Sequence, residues 1–322
     1  MHVRDFSDGI EIAQALLVRE LELRSRRDGG EYLKLTLGDR TGSVPAVIWD
    51  GVVQARSACV RGEVVFVTGR YSVHPRFGRQ LQVVSVRPAR EDEYTREHLL
   101  DGPARTVSQM EADLRELLAT IQNPYLRRLL VAVFGESSPT WSSYRDAPAA
   151  KRYHQAYRHG LLEHCLTVAQ AVSAISATFP GIDRDVAVTG ALLHDIGKLD
   201  AYDVEGGAIS MSDQGRLYGE IPIGYYLVRR AIEPIDGFPA ELAQAVLHII
   251  LSHHGSLEHG SPVVPCTREA TLVHMIDNLG GRLGSFDRIE KELPAGAEWS
   301  EFDRALGGGA YFGGRAESAE AA

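Results

Sequence analysis

Apolar and polar side chains alternate along the first ninety residues with the period of two that is typical of β-strands. The alternation predicts strands over 31–39, 43–50, 62–73 and 79–88. The apolar run 13–25 is interpreted as a first strand, although its periodicity also fits a helix. Glycine-rich or proline-containing turn signals separate these segments, and residues 51–62 fit a short helix.

Five short strands with a helix after the third are the element order of an OB-fold barrel. The strand face and loops of that fold bind oligonucleotides or oligosaccharides. The sequence therefore predicts a five-stranded OB-fold β-barrel as the first domain.

Beyond residue 90 the apolar positions recur at helical spacing. Helices are predicted within 106–135, with a break at Pro124, and over 160–179, 184–197, 221–232, 240–255 and 268–281. The pattern predicts an all-α bundle and divides the chain into a barrel domain (1–90), a helical linker that packs on the catalytic domain (91–150), a helical domain (151–306) and a disordered tail (307–322).

The charge is divided between the two halves. The net charge is −9, yet residues 1–90 hold 14 Lys/Arg against 10 Asp/Glu, so the front is mildly basic and the rest acidic. The excess of negative charge argues against indiscriminate binding of nucleic acid. No apolar run is long enough to span a membrane, and three scattered cysteines predict neither a disulfide framework nor a zinc motif, which favours a cytoplasmic location. A homo-oligomer is left open.

Histidines and carboxylates recur on successive predicted helices. They are His164, the pair His194-Asp195, the pair His253-His254, and Asp277. Each has an ordinary alternative, such as a satisfied core histidine or a favourable charge at a helix end, and the core role is preferred for His248. Their joint order is harder to explain that way, because an aspartate inside an apolar helix is unfavourable unless it is paired or binds a metal. The pattern therefore predicts a divalent-metal centre in a helical bundle.

The order H…HD…HH…D resembles that of the HD-domain phosphohydrolases, which are all-helical and metal-dependent. With a barrel in front, the segments YRHGLLEHCLTV, GALLHDIGKLDAY, ILSHHGSLEHGSP and HMIDNLGG are similar to those of the YhaM-type 3′→5′ exoribonucleases. The resemblance implies that His164, His194, Asp195 and Asp277 hold one metal ion. It also implies that Asp195 bridges to a second ion, which His253 and His254 complete.

One position departs from the family pattern. Family members carry a Gly-His pair between the HD and HH motifs, and Glu220 stands here where the histidine is expected. A glutamate ligand would favour harder ions, so Mn²⁺ is the first choice among Mn²⁺, Mg²⁺, Fe²⁺, Co²⁺ and Zn²⁺. Glu220 also precedes Pro222 at a predicted helix start, where a carboxylate favours the helix dipole. The number of ions, one or two, stays open.

Phosphodiester hydrolysis needs a nucleophile at neutral pH and positive charge against the transition state. Asp195 is the candidate to orient the nucleophile, and Lys198 is expected one turn further along the same helix, close enough to neutralise a phosphate oxygen. Lys198 could instead be a solvated lysine at a helix end. The resemblance implies removal of nucleoside 5′-monophosphates from the 3′ end of single-stranded RNA or ssDNA. The alternatives are a hydrolase of small or cyclic nucleotides and an impaired enzyme that only binds nucleic acid.

Basic and aromatic residues of the barrel are candidates to hold the strand, because single strands bind through a basic groove and stacked bases. They lie on two middle strands and in the predicted hairpin 70–80, and are Tyr32, Trp49, Arg70, Tyr71, Arg76, Phe77 and Arg79. Each has a structural alternative, since Trp49 could belong to the barrel core and hairpin arginines are often only solvated.

Overall fold

The N-terminal domain is a closed five-stranded barrel in a computed structural model that describes residues 1–26, 29–74, 78–99, 102–103, 105–151, 155–205, 208–293 and 297–313. Its elements are β1 (Glu11–Ser25), β2 (Glu31–Asp39), β3 (Gly42–Ile48), α1 (Val52–Ala58), β4 (Val64–His74) and β5 (Gly78–Pro88). The strand order is β1-β2-β3-β5-β4, with β3 and β5 parallel and the other pairs antiparallel. The predicted OB-fold, including the helix after the third strand, is confirmed.

Alternation along each strand builds the barrel core. In β4, for example, Val65, Val67 and Tyr71 are buried, whereas Arg70 between the last two is exposed. Tyr71 packs edge-on against Phe6, with ring centroids 5.6 Å apart. The barrel therefore closes around an apolar interior and presents its arginines outward.

The remaining chain is a helical bundle, as predicted. Its helices are α2 (Arg96–Leu99), α3 (Val107–Ala119), α4 (Pro124–Phe134), α5 (Trp141–Asp146), α6 (Gly160–Ser176), α7 (Arg184–Leu193), α8 (Lys198–Ala201), α9 (Asp213–Tyr218), α10 (Glu220–Ile232), α11 (Ala240–Ser252) and α12 (Arg268–Glu292). Buried residues of α3 and α4, such as Leu114 and Leu129, share one continuous core with α6, α7, α11 and α12. The helices of the 91–150 region thus contribute their apolar faces to the domain that carries the histidines.

Several features of this domain were not predicted, among them the short helices α2, α5, α8 and α9. A short hairpin of β6 (Tyr202–Glu205) and β7 (Ala208–Met211) follows α8, and α12 continues eleven residues beyond the predicted end at residue 281. Residues 297–313 form an irregular segment with isolated bridges between Trp299 and Tyr311 and between Asp303 and Gly308, and it includes part of the predicted tail. Within the described ranges no helix is both long and apolar enough to cross a membrane.

Candidate metal centre

Four helices bring the predicted ligands to one place. His164 lies in the first turns of α6, His194 and Asp195 follow the end of α7, His253 and His254 follow the end of α11, and Asp277 lies in α12. His164, His194, Asp195 and His253 are buried, with no side chain more than 8% exposed. Apolar packing of α6, α7, α11 and α12 therefore fixes where the polar groups meet.

Lys198 does not continue the helix of Asp195, and that prediction was wrong. α7 ends at Leu193, a turn follows, and Lys198 begins α8. The two side chains still meet, because the turn brings Lys198 Nζ to 2.7 Å from Asp195 Oδ2. Gly197 makes this turn possible, since a Cβ there would lie 1.9 Å from the Glu220 carbonyl oxygen and 2.5 Å from the Gly224 nitrogen.

The ligand atoms of the first predicted ion converge closely. His164 Nε2 lies 3.2 Å from His194 Nε2, 3.3 Å from Asp195 Oδ2 and 3.1 Å from Asp277 Oδ1. On the other side of Asp195, its Oδ1 lies 3.5 Å from His253 Nε2. Asp195 thus contacts both groups of histidines, which is the arrangement expected of a bridging carboxylate.

The other ring nitrogen of each imidazole faces an oxygen acceptor. His194 Nδ1 lies 2.7 Å from the Ala191 carbonyl, His253 Nδ1 lies 2.8 Å from the Ile250 carbonyl, and His254 Nδ1 lies 2.9 Å from the His259 carbonyl. A carbonyl can only accept, so the Nδ1 of each of these three rings carries a proton, and in the neutral form of the ring the Nε2 lone pair is turned toward the centre. This is the tautomer that metal-binding histidines adopt.

Two buried atoms test whether the residues suit a metal ion. Asp195 Oδ1 and His253 Nε2 are both shielded from solvent and have no hydrogen-bond partner within the described chain. Both are electron-pair donors, and leaving them unsatisfied is unfavourable by about 1–3 kcal/mol each. A divalent cation satisfies both, and imidazole and carboxylate ligands suit Mn²⁺, Fe²⁺, Co²⁺ or Zn²⁺. The residues fit a metal.

Glu220 joins this centre from the start of α10. Its Oε1 lies 3.5 Å from His254 Nε2 and 4.0 Å from Lys198 Nζ. Possible ligand atoms of Asp195, Glu220, His253 and His254 all lie within 4.8 Å of one another. Glu220 therefore occupies a helix start and a candidate ligand position at once, so its two predicted roles are compatible.

The charges around Asp195 are strongly interdependent. Burial opposes ionisation of Asp195, but the charges of Lys198 and His194 outweigh it and hold its pKa well below the usual range. Burial also lowers the pKa of Lys198, yet Asp195 and Glu220 raise it well above its ordinary value. The centre thus keeps an ionised carboxylate beside a permanent ammonium.

His164 carries a proton when only the protein surrounds it. Burial lowers its pKa, but hydrogen bonds to Asp195 and Asp277 raise it to about 9. The proton occupies the same Nε2 lone pair that a metal ion needs, so protons and metal compete for His164.

Three residues that support the ligands were missed in the sequence. Gln155 Oε1 lies 3.1 Å from His164 Nδ1, and the same amide donates through Nε2 to Glu163 at 3.4 Å. Tyr202, from the hairpin after α8, donates to Glu220 Oε2 at 3.5 Å. Tyr202 and Glu163 stand within the segments that carry the family resemblance, but neither position has a spacing that marks it.

The barrel residues that the sequence proposes for nucleic-acid binding differ in how exposed they are. Tyr32 and Trp49 stack with centroids 4.7 Å apart, Trp49 is 41% exposed, and the guanidinium of Arg26, which was not predicted, lies over its ring. Tyr71 is only 4% exposed, so its ring belongs to the core and cannot stack on a base; that prediction is corrected. Arg70 is exposed and Arg79 is half-buried, whereas Arg76 and Phe77 lie outside the described residues.

A cleft of about 1750 Å³ lies between the barrel and the helical domain. From the barrel it is lined by arginines at positions 19, 40, 61 and 79, and from the helical domain by His164 and Thr167. The cleft therefore reaches from the basic surface of the barrel to a residue of the metal centre.

Comparison with known proteins gives matches to both domains and to the whole chain. Residues 161–281 match the model of the HD domain, and residues 18–89 match that of the OB-fold nucleic acid binding domain. The chain is 31% identical over 292 residues to the 3′-5′ exoribonuclease YhaM of Geobacillus sp. (strain WCH70), covering 89% of this chain and 87% of that protein. It is 29% identical over 297 residues to the protein of the same name from Bacillus subtilis (strain 168), covering 91% of each.

Among solved structures, the second OB-fold domain of replication protein A from Methanococcus maripaludis is similar to 27% of this chain. The match covers 92% of that domain with 18% identity and a TM-score of 0.23.

Proposed function

The chain belongs to the family of the 3′-5′ exoribonuclease YhaM, and from that premise we propose that it shortens single-stranded RNA from the 3′ end by metal-dependent hydrolysis. The products are nucleoside 5′-monophosphates. The observation that carries the proposal is the convergence of four imidazoles and two aspartates, with Asp195 Oδ1 and His253 Nε2 buried and unpaired.

Each side chain has a distinct part in the reaction. His164, His194, Asp195 and Asp277 hold one divalent ion, which supplies an activated water and Lewis-acid stabilisation of the phosphate when bound. Asp195 is fixed by the 2.7 Å contact of its Oδ2 with Lys198 Nζ. It lies between His164 and His194 on one side and His253 on the other, and it orients the ligands on both sides. Lys198 stays an ammonium, because Asp195 and Glu220 raise its pKa, and its charge opposes the negative charge that develops on the phosphate.

We further propose that Mn²⁺ is the preferred ion and that a second ion is held by Asp195, Glu220, His253 and His254. Two of these four ligands are carboxylates, and oxygen ligands favour harder ions than an all-imidazole site does. Glu220 then takes the place of the histidine found in other family members, and it supplies a negative charge that a histidine lacks.

The cleft beside the barrel is the proposed path of the strand. Arginines along it attract phosphates, and the same cleft is lined by His164. The Tyr32–Trp49 stack, in which Tyr32 is half-buried and Trp49 is exposed, offers an aromatic surface for a base further along the strand. A strand bound in this way is held without sequence preference, and its affinity falls with salt.

Two further parts of the proposal concern where the protein works and whether it binds a second copy of itself. A reducing cytoplasm suits the chain, because Cys59, Cys165 and Cys266 are all free thiols. A second copy of the chain remains a candidate partner, and sedimentation velocity at several protein concentrations measures whether one binds.

A time course with 5′-labelled single-stranded RNA tests the function. With Mn²⁺ we expect a ladder that shortens from the 3′ end and stops when EDTA is added. Intact RNA, with turnover confined to mononucleotides or cyclic nucleotides in a parallel reaction, would replace this proposal by a small-nucleotide hydrolase.

A further inference from the structure

A second, smaller cavity opens directly on the metal centre. It measures about 280 Å³ and is lined by His253, His254, His259, His274, Asp277 and Asn278. This volume lies just below the range of about 300–1,000 Å³ for ligand pockets, so the cavity is too small for a length of strand, and one nucleoside is the largest part of an RNA to consider. Two proposed ligands reach solvent here, since 19% of the Asp277 side chain and 29% of the His254 side chain are exposed.

Three of the lining residues, His259, His274 and Asn278, have no part in holding the proposed metal ions. His274 and Asn278 lie three residues before and one residue after Asp277 in α12. Residues three or four apart are neighbours on a helix surface, so His274 lies beside both Asp277 and Asn278. The helix that supplies a ligand to the centre therefore also supplies two polar groups beside it.

The hydrogen bond of His274 defines what its free nitrogen can do. Nδ1 lies 2.7 Å from the backbone carbonyl of His253, which can only accept, so Nδ1 carries the proton. Nε2 of the neutral ring is then an acceptor, and among the described residues it has no hydrogen-bond partner. Gly255 leaves space for this ring edge, because a Cβ there would lie 2.1 Å from Cε1 and 2.3 Å from Nε2 of His274.

An acceptor of this kind takes a hydrogen bond from an O–H or N–H donor. The last nucleotide of an RNA carries 2′ and 3′ hydroxyls, and the 2′-hydroxyl is the group that DNA lacks. Asn278 adds an exposed amide that can donate or accept beside it. A nucleoside in the cavity would place its ribose beside these groups and its 5′-phosphate at the centre.

We propose that this cavity binds the 3′-terminal nucleoside of RNA and that His274 Nε2 accepts a hydrogen bond from its 2′-hydroxyl. The inference rests on the proposed exonuclease function and adds a basis for choosing RNA over DNA. His274 is a specificity-determining residue, and its Nδ1 contact positions the His253 segment.

The two roles of His274 are separable by substitution. His274→Asn keeps an amide donor near the position of Nδ1 but has no group at the position of Nε2, whereas His274→Ala removes both. Met275→Ala is the control, because that neighbouring side chain is 57% exposed and does not line the cavity. Bound Mn²⁺ is measured for every variant, so that a damaged centre is recognised independently of activity.

The test compares two RNA oligonucleotides that differ only in a ribose or a 2′-deoxyribose at the 3′-terminal nucleotide. We expect wild type and Met275→Ala to remove the ribonucleotide faster, and His274→Asn, with normal Mn²⁺ content, to reduce that preference by about tenfold, the worth of one hydrogen bond. An unchanged preference, or an equal loss on both oligonucleotides, overturns the role of His274. A wild type that shortens neither oligonucleotide refutes the exonuclease itself.

Discussion

Replacing Glu220 by glutamine tests the second metal ion most sharply, because it removes one charge and almost no volume. Glu220 Oε1 lies 4.0 Å from Lys198 Nζ and 3.5 Å from His254 Nε2, and its side chain is only 21% exposed. The attraction between two opposite unit charges 4 Å apart is about 4 kcal/mol at an effective dielectric constant of 20. Desolvation offsets much of that attraction. The net effect on a divalent ion at this position is about 1.4–2.8 kcal/mol, or 10- to 100-fold in affinity.

Titration calorimetry with Mn²⁺ on metal-stripped protein measures this effect. Wild type is expected to bind two ions per chain, and Glu220→Gln to bind the first normally and the second 10- to 100-fold more weakly. Glu233→Gln is the matched control, since that carboxylate follows the other end of α10 and its side chain is 59% exposed. Glu220→His should restore the second ion but shift its preference from Mn²⁺ toward Zn²⁺. Superimposable isotherms for wild type and Glu220→Gln would make Glu220 only a residue of the helix start.

Three further predictions follow from local geometry. Gly197→Ala should lower the free energy of unfolding in urea by about 1–3 kcal/mol, because the new Cβ meets backbone atoms at 1.9 and 2.5 Å. Gly280→Ala, whose Cβ would meet nothing within 4 Å, should leave it unchanged, and equal stabilities of the two variants would refute the close approach of α10. Apparent Mn²⁺ affinity should rise about tenfold per pH unit from pH 7 and level off near pH 9, because the ion must displace a proton from His164, whose pKa is about 9. An affinity that is already level at pH 7 would contradict this competition. Trp49→Ala should weaken binding of single-stranded RNA by about 1–3 kcal/mol in a fluorescence titration. Val53→Ala, which changes an exposed side chain of α1, should leave the affinity unchanged, and equal affinities of the two variants would show that Trp49 is not part of the binding surface.

The barrel could be predicted from the sequence because strand alternation and turn residues are local signals. The same alternation also predicts that Tyr71 is buried. Val65, Val67 and Tyr71 share one parity in β4, so the aromatic ring points inward with the valines, whereas the intervening Arg70 points outward. The parity of an aromatic residue within its strand is therefore a better guide to its exposure than its proximity to arginines.

The order of histidines and aspartates located the centre because its members sit at the ends or on the faces of apolar helices. The supporting contacts lack such a local signal. Gln155, with a positive φ of 60°, reaches His164 from a loop, and Tyr202 reaches Glu220 from an unpredicted hairpin. These pairs depend on how loops cross the end of the bundle, and periodicity carries no information about loop paths. The turn at Gly197 was missed for the same reason, since its requirement comes from α10, which follows later in the chain.

The rate at which Asp195→Asn shortens 5′-labelled single-stranded RNA with Mn²⁺ is the most direct test of the central claim. Asp195 contacts both groups of histidines and Lys198, and its side chain is only 2% exposed. Asp200→Asn serves as the control, because Asp200 is an exposed carboxylate of the following helix, α8. We predict a 3′-end ladder with wild type and Asp200→Asn, and intact RNA with a folded Asp195→Asn. A ladder of unchanged rate from folded Asp195→Asn would show that hydrolysis takes place elsewhere.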